Sequence, residues 1–106
     1  MDEIIEALRK FNKERNWEQF HDGKNLALAL SIEASELNEA YLWKNVDDVN
    51  IDKIKEELAD VFLCAFMIAD KYKLDVKEIC LKKISRNAEK YPVSKCIGSS
   101  KKYTEL

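Results

Sequence analysis

Two pairs of carboxylates, Glu33 with Glu36 and Glu57 with Asp60, stand at mirror-image distances from a single polar turn. The midpoint between Glu36 and Glu57 and the midpoint between Glu33 and Asp60 both fall between Val46 and Asp47. Each pair has i, i+3 spacing, so on a helix its two side chains share one face. Two helices folding back antiparallel about residues 44–48 bring both pairs to the same level, facing each other. Four carboxylates that close cannot all stay ionised unless a cation joins them. This pattern restricts the chain to a helical hairpin built around a divalent metal.

The placement of these acids relative to the apolar residues strengthens that reading. Leu26, Leu30, Glu33, Leu37 and Tyr41 follow the spacing of an inward helical stripe, as do Ile54, Glu57, Val61 and Ile68 in the next segment. Glu33 and Glu57 therefore occupy slots where apolar side chains are expected. Asp60 directly precedes the apolar run 61–69, which is expected to be buried nearly all round. An unpartnered buried carboxylate costs several kcal/mol in desolvation, about enough to demand ligation or a strong partner. Glu39 and Glu56 fall off the stripes and read as surface acids, Glu39 at most at the rim of the site.

The rest of the chain is consistent with an all-α protein. It has 106 residues, 46% of them apolar and 36% charged, with two Gly and one Pro as the only strong breakers. One domain spans residues 1–106, with a core over about 1–92 and an extended tail over 93–106. A helix capped by Asp2 carries Ile4 or Ile5, Leu8 and Phe11 and fades at Arg15 and Asn16. After a loop over residues 17–24, a second helix runs from about Asn25 to Trp43. The third starts behind Asn50 or Asp52 and continues to about Lys73. The fourth is capped by Asp75 and ends near Tyr91, because Pro92 disfavours helix at the residue before it.

A net charge of −2 with scattered basic residues gives no footing for a nucleic acid polymer or an anionic membrane surface. The run 61–69 is too short to span a bilayer, and the acidic start of the chain lacks a signal-peptide pattern. Cys64, Cys80 and Cys96 lack any CxxC or Cys/His pairing. Two of them lie in apolar helical contexts, where free Cys behaves as a small buried hydrophobe, so a reducing cytoplasmic setting is expected.

Carboxylates alone suit hard cations, Mg²⁺ first and Mn²⁺ second. Di-iron bundles use Glu-x-x-His pairs, and His21 lies outside both acid-bearing helices. Mg²⁺ favours substrate phosphates as further ligands, so phosphoryl or nucleotidyl transfer to water is the leading reaction class.

The stretches Glu33-Ala-Ser-Glu36-Leu37 and Glu57-Leu-Ala-Asp60-Val61 resemble the paired acid motif of the MazG-like, all-α nucleoside triphosphate pyrophosphohydrolases. The resemblance extends to residues 15–21, Lys24-Asn25-Leu26, residues 41–44, Asn87-x-x-Lys90-Tyr91-Pro92 and the tail from Gly98, which look like the dCTP pyrophosphatase branch. Only the first dozen residues lie outside it. It implies a four-helix bundle that hydrolyses dCTP or a modified relative to the monophosphate and pyrophosphate, with Mg²⁺ required and a housecleaning role in the nucleotide pool. By carry-over, Glu33, Glu36, Glu57 and Asp60 are the catalytic metal ligands. Trp17, His21 and Trp43 match nucleobase-pocket positions, and Lys24, Asn87, Lys90 and Tyr91 match positions near sugar and phosphates. One departure is Cys64, four residues after Asp60, where relatives in this branch often carry Tyr; it removes a hydroxyl and leaves the base and sugar preference open.

Cys64 is not read as a nucleophile, since nothing at useful spacing lowers its pKa. Substrates left open are dUTP, other canonical nucleotides and damaged ones, and a nucleotide-sensing or protein-interaction bundle without turnover is the rival class. Apolar stripes on several faces predict a homodimer or a dimer of dimers.

Overall fold

In the computed structural model, which describes residues 2–105, every regular element is a helix or a helical turn. The long helices are α1 (Asp2–Glu14), α2 (Gly23–Glu39), α3 (Ile51–Lys71) and α4 (Val76–Lys90), followed by the single turn α5 (Val93–Cys96). Tight 3₁₀ turns occupy Glu18–Phe20, Val46–Asp48 and Tyr103–Glu105. No strand occurs among the described residues.

Local chemistry explains where these helices begin. The Asp22 carboxylate accepts from the Asn25 N–H at 2.7 Å. Asn50 accepts from the N–H groups of Asp52 and Lys53 at 3.0 and 3.2 Å. Asp75 accepts from the Glu78 N–H at 3.0 Å. Each such cap satisfies an orphan donor of the first turn and contributes about 1 kcal/mol. Because Asp22 caps α2, this helix starts at Gly23, two residues earlier than the apolar pattern alone predicts. A β-carbon at Gly23 would meet the Tyr72 hydroxyl, so glycine leaves room for the end of α3 to come close.

The ends of α1 and α3 share one device. Asn16 and Lys73 adopt left-handed φ values of 53° and 55°. Behind α1, the Trp17 N–H donates to the Asn12 carbonyl and the Asn16 N–H to Lys13. Behind α3, the Leu74 N–H donates to Ala69 and the Lys73 N–H to Asp70. This paired pattern returns the chain sharply and favours an apolar contact across the helix end. At α1 that contact is Trp17 against Phe11, edge to face at 5.6 Å.

The chain divides into two compact units, the first reaching to Leu74 and the second starting at Asp75. In the first, α2 and α3 form the principal helix pair and α1 packs on α3. Leu26, Ala40, Cys64 and Ala69 are buried in this unit, together with Asn12 and Glu57. The Arg9 guanidinium grips the Asp70 carboxylate through Nε at 3.0 and 3.1 Å and through Nη2, which ties α1 to the last turns of α3. The second unit holds α4, α5 and the tail, and within it the Tyr103 ring lies edge-on to Tyr91 at 6.0 Å.

Three expectations are corrected here. The run 61–69 is not buried nearly all round: Phe62 is 51% exposed, because the packing of α2 and α1 on α3 within the first unit leaves that side chain uncovered. The segment after Pro92 is not simply extended, since Pro92 starts the turn α5 and a 3₁₀ turn follows near the end. Finally, α2 stops at Glu39 rather than Trp43, and residues 40–44 continue as turns.

Candidate metal centre

The i, i+3 spacing on α2 sets Glu33 and Glu36 one turn apart on the face that meets α3, and Glu57 answers them from the second turn of α3. One carboxylate oxygen from each lies within 4.8 Å of the others. Oxygens around one octahedral Mg²⁺ stand about 3 to 4 Å apart, given metal–oxygen distances of about 2.1 Å, so small side-chain adjustments suffice to ligate a single ion.

Two oxygens of the cluster are left without a partner. Glu33 Oε2 and Glu57 Oε2 are buried with no hydrogen-bond partner. Buried polar atoms in folded proteins are nearly always paired, so two orphaned carboxylate oxygens in one cluster mark a place for a ligand. An all-oxygen donor set fits Mg²⁺ or Mn²⁺ and does not suit a soft metal.

The acids carry opposite electrostatic biases. Burial, then the neighbouring Glu36, then the charges of Asp60 and Glu57 push the Glu33 carboxyl above the ordinary range. Glu57 is held below that range chiefly by the ammonium of Lys53, whose Nζ is 2.7 Å from Glu57 Oε1. Asp60 is exposed and stands outside the close group, although its charge still acts on Glu33. Cys64 is buried, and burial followed by the charges of Glu33 and Asp60 raises its thiol pKa, which keeps it protonated and unfit as a nucleophile. Cys80, in contrast, is exposed on α4.

The other sequence candidates of the first unit, Trp17, His21, Lys24 and Trp43, do not belong to this close group. His21 is half-buried and lines a cavity of about 530 Å³ together with Arg9, Asn12, Leu26, Met67 and Asp70, to which none of the four acids contributes. Trp17 is 45% exposed against Phe11, and Lys24 is exposed in the first turn of α2. Trp43 is 95% exposed at a left-handed φ of 60°, a conformation uncommon for a bulky residue and of the kind that gathers at functional sites. Asn87, Lys90 and Tyr91 lie at the end of α4 in the second unit. There the Tyr91 N–H donates to the Asn87 carbonyl at 2.8 Å, and the Lys90 ammonium sits 4.9 Å from the centre of the Tyr103 ring.

Sequence reasoning did not single out Lys53. The signal was the i, i+4 spacing of Lys53 and Glu57, which lets the two side chains meet on one helix face. Nor did it pair Arg9 with Asp70, a contact between distant segments that local spacing cannot reveal.

Known proteins resemble the chain over its whole length. The sequence model of the MazG-like family matches residues 28–106. The dCTP pyrophosphatase 1 of Mus musculus is 33% identical over 114 aligned positions, and that of Homo sapiens 34%; each alignment covers 100% of this chain and 67% of the relative. The crystal structure of a pyrophosphatase from Archaeoglobus fulgidus superposes with a TM-score of 0.81 at 32% identity, covering 87% of this chain and 92% of the other. With this helical fold and both acid pairs inside or beside the described cluster, the chain belongs to the MazG-like family.

Proposed function

We propose that the chain is a Mg²⁺-dependent pyrophosphohydrolase that converts a deoxynucleoside triphosphate, dCTP or a modified dCTP, to the monophosphate and pyrophosphate. The observation that carries this reading is the pair of buried, unpartnered oxygens on Glu33 and Glu57 within a three-carboxylate cluster. The names of the relatives, dCTP pyrophosphatase 1 and pyrophosphatase, supply the reaction class.

Glu33, Glu36 and Glu57 would hold the metal, with Asp60 completing the set from the rim, and a bound Mg²⁺ or Mn²⁺ would supply charge neutralisation at the phosphates. The water oxygen bonds to the α-phosphorus, its bond to the departing pyrophosphate breaks, and a carboxylate of the cluster takes the water proton. Lys24, Lys90 and Asn87 are suited to phosphate and sugar oxygens. The indoles of Trp17 and Trp43 offer faces for base stacking, and His21 offers a ring nitrogen to a base edge.

A homodimer or dimer of dimers accompanies this reading. Leu28 and Ile32 on α2, and Leu58 and Phe62 on α3, form i, i+4 apolar pairs between 39 and 60% exposed, more open apolar surface than single scattered residues explain. No helix among the described residues is long and apolar enough to cross a membrane. The free thiols agree with a cytoplasmic setting.

The test is pyrophosphate release from a panel of canonical and modified nucleoside triphosphates, with Mg²⁺ and with chelator in parallel. Mg²⁺-dependent turnover of cytosine deoxynucleotides to the monophosphate is expected. Binding of metal and nucleotide without turnover of any panel member would instead favour a sensing or scaffold role.

A further inference from the structure

Lys53 divides the Glu57 carboxylate in two. Its Nζ lies 2.7 Å from Oε1, whereas Oε2 is buried without a partner. The two side chains differ sharply in freedom, because Lys53 is 52% exposed and Glu57 only 9%. An ammonium on a flexible four-carbon stem is compact, strongly hydrated and free to swing into water. The carboxylate, fixed in the contact layer of α2 and α3, has no such escape. The cation at Oε1 is therefore exchangeable, while the carboxylate that holds it is not.

We propose that Lys53 is a tethered counter-ion of the metal centre: its ammonium occupies Glu57 Oε1 while the centre is empty, withdraws when a divalent cation enters, and thereby weakens and tunes metal affinity. This rests on the metal reading of the Glu33, Glu36 and Glu57 cluster. The exchange makes and breaks no covalent bond; one monovalent cation leaves the carboxylate and one divalent cation takes its place. While the centre is empty the ion pair holds the Glu57 side chain in the close group with Glu33 and Glu36, so the ligand is preformed. The cost is competition, since every entering ion displaces an ammonium that was already bound. Removing the ammonium leaves both Glu57 oxygens open and the cluster more negative.

The test is titration with Mn²⁺ alone, without substrate, following the free-ion electron paramagnetic resonance signal for the wild-type protein, Lys53→Met, Lys53→Arg and Lys55→Met. Lys55 lies two residues further along α3 on a different face, so its loss changes the charge equally without touching Glu57. Lys53→Met is expected to bind Mn²⁺ about two- to five-fold more tightly, in keeping with the strength of a half-exposed ion pair. Lys53→Arg should retain wild-type affinity, and Lys55→Met should stay close to it. Should Lys53→Met fold poorly by circular dichroism, Lys53→Gln makes the same comparison. Unchanged affinity on losing the ammonium, or equal tightening from Lys55→Met, overturns the counter-ion role and leaves the metal centre standing. A wild-type protein that binds no Mn²⁺ overturns the metal centre itself and the counter-ion role with it.

Discussion

The two acid pairs share one spacing and end in different environments. On α2, Glu33 and Glu36 both join the close cluster, and Glu33 is pushed towards its protonated form by burial and by its neighbours. On α3, Glu57 joins it from a buried position with its own ammonium at 2.7 Å, whereas Asp60, one turn on, is exposed and outside the close group. Spacing thus decides which face an acid occupies, and surroundings decide its charge state. In one cluster a carboxylate is held by an ammonium and another is pushed towards its protonated form, so an entering cation competes with the ammonium at Glu57 and with a proton at Glu33.

The largest expected effect separates Glu57 from Asp60. Glu57→Gln removes an oxygen charge from the buried centre and should lower kcat/KM for a triphosphate by at least about 100-fold, with Glu33→Gln close behind. Asp60→Asn, altering an exposed acid, should cost roughly ten-fold or more, yet less than Glu57→Gln. Equal losses would mean that metal draws Asp60 fully into the set, and no loss at Asp60 would remove it from the site.

Next in size is stabilisation by metal. Mn²⁺ at about 100 times its Kd should stabilise the folded protein by about 2.7 kcal/mol and raise Tm by roughly ten degrees, as read by differential scanning calorimetry. Glu33→Gln and Glu57→Gln should largely lose that rise, whereas Glu39→Gln, off the cluster, should keep it.

A smaller effect tests the opposite biases through pH. The Glu33 carboxyl is raised in the folded protein, so folding takes up a proton between its unfolded and folded pKa values. In chelator, its contribution therefore weakens stability as pH rises through that window, and Glu33→Gln should flatten this part of the profile. Glu57 is lowered by Lys53, so its contribution is present above the unfolded carboxylate pKa and is lost as pH falls through the folded value. Lys53→Met should flatten this acid limb and leave the Glu33 limb in place.

The smallest effect lies away from the cluster. Arg9→Met breaks the bidentate grip on Asp70 and should lower Tm slightly, without changing Mn²⁺ affinity. A change in metal binding from this variant would show that the junction of α1 and α3 reaches the centre.

Much of this architecture follows from local rules. The caps at Asn50 and Asp75, the stop before Pro92 and the approach of Glu33, Glu36 and Glu57 across the turn all rest on short-range geometry or on periodicity. Two local features escaped, the Asp22 cap and the Lys53–Glu57 pair, and the rest depends on partners distant in sequence or on competition between neighbours. The exposure of Phe62 depends on where α1 and α2 seat on α3 within the first unit, which apolar content cannot reveal. The early end of α2 reflects turns at residues 40–44, and they set Trp43 in the left-handed region against its bulk. Asp60 and Glu57 looked equivalent by spacing, and burial, the Lys53 ion pair and membership of the close group distinguish them.

The most direct test of the central claim is a crystal soaked in Mn²⁺, with data collected at an energy where manganese scatters anomalously. An anomalous peak bounded by carboxylate oxygens of Glu33, Glu36 and Glu57 is expected, with the Lys53 ammonium displaced from Glu57. A protein that takes up no Mn²⁺ there, or binds it only elsewhere while Lys53 stays on Glu57, would contradict that claim.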